Sequence, residues 1–170
     1  MAKTGWGVVE TSGKQSRYVD SGLFTTSAST LHIERLRLLA DELKRVLQAS
    51  KPDLIAIERV FINSNLKSSL LLGEARGAAI VTLLQGNVPV IEISALQIKQ
   101  SLTGMGRAGK TQVANMVGSV LSISVSDLAH DCTDALACAL AANSHHATQI
   151  PLRRNAPRRR TLRSLGRLVK

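Results

Sequence analysis

Three carboxylates are the residues of this sequence best placed to do chemistry. Glu58 directly follows the apolar run 54–57, and Asp131 and Asp134 lie at i and i+3 in a small, apolar segment. That spacing puts both Asp side chains on one face of a predicted helix, near its N-terminus. A strand-end Glu and such a pair could bind two divalent metal ions, the arrangement that activates water and stabilises the leaving oxygen in phosphodiester hydrolysis.

Each carboxylate also has a simpler interpretation. Acids in a first helical turn complement the helix macrodipole without binding a ligand. An acid at the end of a strand can equally be a solvated surface residue. However, α/β sheets usually bind their ligands beyond the carboxyl ends of their strands, and this rule favours a functional Glu58.

The elements that must position these acids follow a clear order along the chain. A β-hairpin is predicted over 5–10 and 16–25, with Ser12-Gly13 in its turn. The remaining predicted elements are helix 30–50, strand 54–57, helix 66–84, strand 88–93, a helix capped by Ser94, and helices 110–121 and 127–143. A meander followed by α-β-α-β-α-α predicts an α/β domain with a central mixed sheet.

Size and composition indicate a single soluble globular domain, at most with a tail. The chain has 170 residues, 44% of them hydrophobic, and a mean hydropathy of +0.07, which excludes a disordered protein and several catalytic modules. No apolar run approaches the roughly 20 residues that span a bilayer. No apolar run follows Lys3 either, so a secretory signal is not predicted.

Cys132 and Cys138 lie six residues apart in one predicted helix. That spacing separates them by roughly 9 Å along the axis, beyond the ~7 Å Cα distance that a disulfide tolerates. They are therefore interpreted as free thiols in a reducing cytosol.

The positive charge is concentrated at the C-terminal end. The net charge is +10, and residues 151–170 hold eight Lys or Arg and no acid. We predict a domain over 1–148 and a basic, flexible tail over 149–170. Such a tail suits a polyanion, whereas Pro151 and Pro157 would interrupt a membrane-binding amphipathic helix. A merely solubilising end is the alternative.

Five ordered motifs resemble the RuvC-type Holliday junction resolvases. The resemblance covers roughly residues 3–145, and the matching motifs are 55–61 (IAIERVF), 72–81 (LGEARGAAIV), 97–106 (QIKQSLTGMG), 110–113 (KTQV) and 131–137 (DCTDALA). The resemblance implies a ribonuclease-H-like fold, a homodimer and paired nicking of four-way DNA junctions. It also implies dependence on Mg²⁺, with two ions per site and Mn²⁺ as a substitute.

The resemblance carries roles to five polar residues. Glu58, Asp131 and Asp134 match the family's metal-binding and catalytic acids. Lys99 and Lys110 match basic residues near the scissile phosphate, and Lys110 is the one expected to act in catalysis. Its position at the start of a helix, after a glycine loop, also suits phosphate contact, although an isolated Lys is more often a surface residue.

Three further residues are candidates for DNA contact. Phe61 matches an aromatic residue that stacks on bases at the junction centre, and its place after Glu58 suits stacking on an unpaired base. A core Phe is the alternative. Arg59 and Arg107 are weaker candidates for contacts with the DNA backbone.

The start of the sequence departs from the family pattern. Resolvases of this kind begin with a central strand that ends in Asp-Pro-Gly and carries the first catalytic Asp, where this chain has only Met1-Ala2-Lys3. Without that strand, the hairpin and strand 54–57 must close a gap of roughly 9 to 10 Å or leave backbone groups unpaired. We expect that the gene's product starts upstream of this Met, or else that this is a defective allele.

The expected function is a cytoplasmic, structure-specific endonuclease that resolves Holliday junctions during recombination and repair. Four-way junction DNA, a second copy of the chain and a branch-migration motor complex are the expected partners, and no membrane is involved. A catalytically impaired junction-binding protein is one alternative, because the first Asp is missing. A basic RNA-binding or ribosome-associated protein is another.

Overall fold

A five-stranded mixed sheet between two layers of helices forms the structure. The computed structural model describes residues 2–59, 66–149 and 161–169. Its strands are β1 (Ala2–Ser12), β2 (Gln15–Thr26), β3 (Leu54–Arg59), β4 (Val90–Ser94) and β5 (Thr161–Val169). Its helices are α1 (His32–Ser50), α2 (Leu66–Leu84), α3 (Ala95–Thr103), α4 (Lys110–Leu121) and α5 (His130–Gln149). The predicted fold class is confirmed, and no helix in the described ranges could cross a membrane.

The order of strands across the sheet is β2-β1-β5-β3-β4. β1 and β2 form the predicted antiparallel hairpin, in which Gly13 takes a positive φ of 63° at the turn. β3 and β4 are parallel, as expected of short apolar strands separated by a helix. The sheet is therefore antiparallel on one side of its centre and parallel on the other.

Alternation of side chains along the strands divides the core into two halves. Leu54 and Ala56 of β3 pack with α3, α4 and α5, in the cluster that contains Val117 and Leu136. Ile55 and Ile57 point to the opposite face and pack with Leu43 and other residues of α1 and α2. A period of two along a strand buried on both faces produces this arrangement.

The centre of the sheet is occupied by the C-terminal strand β5. It pairs antiparallel with β1, where Val8 lies opposite Leu165, and parallel with β3, where Ile55 lies opposite Leu165. The gap expected between the hairpin and β3 is thus filled by residues 161–169, whose backbone completes both ladders. Residues 161–169 therefore differ from the flexible tail predicted over 149–170.

Three residues of β5 fit the space between the two helical layers. Leu165 is fully buried among the side chains of α1, α2 and β3. Ser164, also fully buried, donates its hydroxyl to the Ala139 carbonyl of α5 at 3.0 Å. At Gly166 a Cβ would clash with the Ala135 carbonyl and lie 2.8 Å from Ala139 Cβ, so the close approach of α5 requires glycine.

Arg163 fastens the beginning of β5 to its neighbours. Its backbone N–H donates to the Asp53 carboxylate at 3.0 Å, and its carbonyl accepts from the Asp53 N–H at 2.8 Å. Its Nε donates to Glu10 of β1 at 3.2 Å, and Arg17 of β2 also pairs with Glu10. One of the arginines assigned to the basic tail is therefore part of the sheet's ion-pair network.

This network predicts a loss of stability in acid. Burial works to raise the pKa of Glu10, but the guanidinium groups of Arg163 and Arg17 outweigh it and hold the pKa below its ordinary value of 4.5. A lowered folded-state pKa contributes stability above pH 4.5 that is lost as the pH falls through the folded value. Urea unfolding between pH 6 and 3 should therefore show a weaker acid dependence for Glu10→Gln than for the wild type. Parallel curves for the two proteins would contradict this prediction.

Candidate active site

A cavity of about 240 Å³ brings four of the predicted site residues together. Glu58 and Asp134 supply two carboxylates to its wall, and Lys99 and Lys110 supply two ammonium groups. The remaining lining residues are small or apolar: Ala95, Ile98, Val113 and Ala137. The cavity lining thus combines two acidic and two basic side chains with small or apolar ones.

Strand β3 and helices α4 and α5 position three of these side chains, and the sequence shows why. Glu58 is the penultimate residue of β3, at the carboxyl end of a parallel strand. Asp134 lies in the second turn of α5, whose apolar residues pack across the sheet. Lys110 is the first residue of α4, directly after Gly109 at the N-cap. Carboxyl ends of strands and helix N-termini meet at one edge of such a sheet, which is why residues distant in sequence share a cavity.

Lys99 depends on the cap of α3. Ser94 ends β4 and caps α3: its hydroxyl accepts a hydrogen bond from the Gln97 backbone N–H at 3.3 Å, while the Gln97 side chain accepts from the Ser94 N–H at 2.9 Å. This reciprocal capping box fixes the start of the helix one turn before Lys99. The sequence-based assignment of Ser94 as the cap is confirmed.

Asp131 lies beside the cavity without lining it. It is in the first turn of α5 and half-buried, and it has interaction partners of its own. Its backbone approaches β1 so closely that a Cβ at Gly5 would clash with the Asp131 carbonyl. The first turn of α5 is therefore fixed against the hairpin, and Asp134 one turn later faces Glu58.

Two other predicted residues, Arg59 and Arg107, do not line the cavity. Arg59 is exposed, and its Nε lies 3.6 Å from the Glu92 carboxylate. Arg107 is exposed in the loop between α3 and α4. Phe61 lies outside the described residues. The same holds for most of the basic residues predicted in the tail.

Carboxylates of the cavity fit a divalent cation such as Mg²⁺. In the described ranges no three His, Cys, Asp or Glu side chains gather into a group that could hold a metal ion by themselves. Mg²⁺, however, keeps several waters and is commonly held by one or two carboxylates together with substrate phosphates. The two hard oxygen donors of Glu58 and Asp134 meet that requirement, and the lysines suit a phosphate.

Buried groups next to the acids have no part in this chemistry. Burial raises the pKa of the Cys132 thiol, and the neighbouring Asp131 carboxylate raises it further. Cys132 and Cys138 are both buried and form no disulfide, as predicted. A thiol with a raised pKa is a poor nucleophile and a poor metal ligand, so Cys132 serves the core.

Sequence reasoning missed Arg76 and Glu92, which support the end of β3. Nη1 of Arg76 donates to the Glu58 carbonyl at 2.6 Å, and Nη2 pairs with Glu92 of β4. Arg76 lies inside one of the matching motifs, but its contact depends on α2 passing over the sheet. A lone Arg at that position gives no local signal of this.

Comparison with known proteins agrees with the fold. The family model of crossover junction endodeoxyribonuclease RuvC matches residues 1–142. The chain is 46% identical over 137 residues to the RuvC of Azoarcus sp. (strain BH72), covering 81% of this chain and 74% of that protein. It is 42% identical over 165 residues to the RuvC of Bordetella avium (strain 197N), covering 96% and 88% respectively.

Two solved structures resemble this one throughout most of their length. Thermus thermophilus RuvC superposes with a TM-score of 0.77 at 28% identity, covering 88% of this chain and 91% of that one. The same enzyme in complex with a Holliday junction substrate gives a TM-score of 0.77 at 26% identity, with 86% and 89% covered. The motifs, the fold and these relatives together establish that this chain belongs to the RuvC family of crossover junction endodeoxyribonucleases.

Proposed function

We propose that the protein is an endonuclease that resolves four-way DNA junctions in recombination and repair. The observation that carries the proposal is that Glu58, Asp134, Lys99 and Lys110 line one cavity. Family membership supports a nuclease, and the junction-bound relative supports this substrate. The alternative of an impaired junction-binding protein is not favoured by these comparisons, and nothing observed favours an RNA-binding protein.

The residues of the cavity have complementary tasks in this proposal. Glu58, Asp131 and Asp134 would hold divalent ions, two per site, with Mg²⁺ as the natural ion and Mn²⁺ as a substitute. When bound, Mg²⁺ supplies Lewis-acid activation of the phosphodiester. Lys99 and Lys110 lie where their ammonium groups can stabilise negative charge on the scissile phosphate. The half-buried positions of Glu58 and Asp134 against Ile98 and Val113 limit the water that would screen these charges.

Contacts with the rest of the junction extend beyond the cavity. We propose that Phe61 stacks on bases at the junction centre, and that Arg59 and Arg107, both exposed, contact the DNA backbone. The domain would then comprise 1–148 together with β5. A branch-migration motor complex and a cytoplasmic location complete the proposal.

We further propose that a second copy of the chain covers the exposed stripe of α2. The stripe consists of six exposed residues at helical spacing: Leu66, Leu70, Gly73, Gly77, Val81 and Leu84. Large apolar residues flank two glycines four apart, at which a Cβ would have open space. Small residues at that spacing allow two helices to approach closely, and two identical stripes are self-complementary about a two-fold axis. A dimer would present two cavities to opposed strands of one junction.

The dimer predicts a specific effect at Leu70, which is 64% exposed. Leu70→Asp places a charge in the proposed interface and should convert the dimer to a monomer in analytical ultracentrifugation, with paired nicking reduced to single nicks. Val120→Asp, on the exposed surface of α4, is the matched control and should remain dimeric. If the wild type sediments as a monomer, the stripe is not a self-association surface.

The function is tested by the purified 170-residue chain on a labelled four-way junction. Symmetric nicking with Mg²⁺, none with EDTA, and a clear preference for the junction over linear duplex are the expected results. Equal binding of junction, duplex and RNA without nicking would reject a junction nuclease.

A further inference from the structure

Arg76 connects the strand end that carries Glu58 to two other elements. Its Nη1 donates to the Glu58 carbonyl at 2.6 Å, and its Nη2 pairs with the Glu92 carboxylate on β4. The side chain extends from the middle of α2 and is only 16% exposed. One guanidinium thus joins α2, β3 and β4 at the edge of the sheet where the cavity lies.

The bond to the Glu58 carbonyl matters because β3 is near its end there. The described ladder between β3 and β5 extends to Ile57, whereas the ladder to β4 continues to Arg59. A carbonyl and the side chain of the same residue are linked through one Cα, so fixing the peptide plane also fixes the direction of the Cα–Cβ bond from which the carboxylate extends. A charge-assisted donor such as guanidinium holds this plane more firmly than a neutral donor does.

Glu92 keeps Arg76 in place without adding charge to the cavity. Its carboxylate pairs with Arg76, while Arg59 approaches from the other side at 3.6 Å. Neither Arg76 nor Glu92 lines the cavity itself. Arg76 therefore acts on the site through its hydrogen bond to the Glu58 carbonyl.

We propose that Arg76 is a positioning residue of the active site, which orients Glu58 towards the ion and phosphate by holding its backbone carbonyl. This inference rests on the proposed function, since Arg76 acts only through Glu58. Loss of a partner that orients a metal ligand typically costs about 10 to 100-fold in metal affinity or activity. The expected signature is weaker metal binding with unchanged DNA binding.

The test uses Arg76→Met in the full chain, which keeps the aliphatic stem and removes the donors. Arg37→Met is the matched control, because Arg37 also makes helix-surface ion pairs, with Glu34 and Asp41, but on α1. Mn²⁺ binding is measured by calorimetry without DNA, and nicking is measured over a range of Mg²⁺ concentrations. For Arg76→Met, both half-saturation points should rise about 10-fold, with junction affinity and the thermal midpoint close to those of Arg37→Met.

Two further variants keep the inference falsifiable if Arg76→Met does not fold. Arg76→Lys retains the charge but lacks the forked guanidinium that donates to both partners at once. Glu92→Gln removes the carboxylate that pairs with the Arg76 guanidinium beside the Glu58 carbonyl. Each should raise the Mn²⁺ half-saturation point by about 3-fold, less than full truncation does. Half-saturation points equal to those of Arg37→Met, in whichever variants fold, would overturn the role of Arg76.

Failure of the inference is distinguishable from failure of the proposed function. If Glu58→Gln nicks junctions at the wild-type rate, Glu58 has no catalytic role and the inference falls with it. If Glu58→Gln is inactive while the Arg76 variants match the control, the site stands and only the positioning role is rejected.

Discussion

Glu58→Gln should reduce junction nicking by at least about 100-fold while leaving junction binding intact. Loss of a residue that only orients a metal ligand already reduces metal affinity or activity by about 10 to 100-fold. Glu58 itself lines the cavity, so its loss should cost more. Glutamine keeps the size of the side chain but removes the charge that would bind a divalent ion. Single-turnover nicking at saturating Mg²⁺ measures the effect, and a gel-shift assay in EDTA measures binding.

A second variant in the cavity and a control variant outside it test the same prediction. Asp134→Asn should have an effect of the same order, because Asp134 lines the cavity opposite Glu58. Glu74→Gln removes an exposed carboxylate of α2 that contacts His32 and does not line the cavity, so this variant should nick normally. Wild-type nicking by both Glu58→Gln and Asp134→Asn would show that the cavity is not the active site.

Gly166→Ala should destabilise the fold by about 3 kcal/mol or more, a large share of the roughly 5–15 kcal/mol that stabilises a typical domain. The added Cβ clashes with the backbone of α5 at Ala135, which a side-chain rotation cannot relieve. Urea unfolding followed by circular dichroism measures the loss. The larger change Gly166→Val should prevent folding.

Gly77→Ala is the matched control for this effect. Gly77 lies in a helix with open space where its Cβ would be, so alanine there should stabilise by about 0.5–1 kcal/mol when measured in the Leu70→Asp background, where the proposed dimer contact is absent. Leu165→Ala provides an independent check on β5 and should cost about 2–5 kcal/mol, since Leu165 is fully buried. If Gly166→Ala and Leu165→Ala both unfold like the wild type, β5 does not occupy the centre of the sheet.

Candidate site residues could be predicted because the neighbouring sequence indicates the position of each one in the fold. Glu58 follows an apolar run with no alternation, and Lys110 follows a glycine loop, so each position in the fold could be inferred from a few neighbours. Asp131 and Asp134 share a helix face by spacing alone. The motifs that resemble the resolvases contain these residues, and the structure places four of the predicted residues around one cavity.

The place of β5 was not predictable from local sequence. Arginines and two prolines dominate residues 151–170, and this composition is typical of a solvated tail. Only Ser164-Leu165-Gly166 matches the centre of the sheet, which needs a large apolar side chain between two small residues. That need arises only after α5 and both halves of the sheet have assembled. The open position between β1 and β3, rather than the strand propensity of the segment itself, decides its structure.

The position of β5 also determines when the protein can fold during synthesis. Among the described strands, the hairpin β1-β2 and the pair β3-β4 are hydrogen-bonded into one sheet through residues 161–169, which follow those four strands in the chain. The emerging chain therefore exposes two unpaired strand edges, on β1 and β3, until this last segment leaves the ribosome. Ribosome-bound chains ending before residue 161 should accordingly remain sensitive to protease and dependent on chaperones.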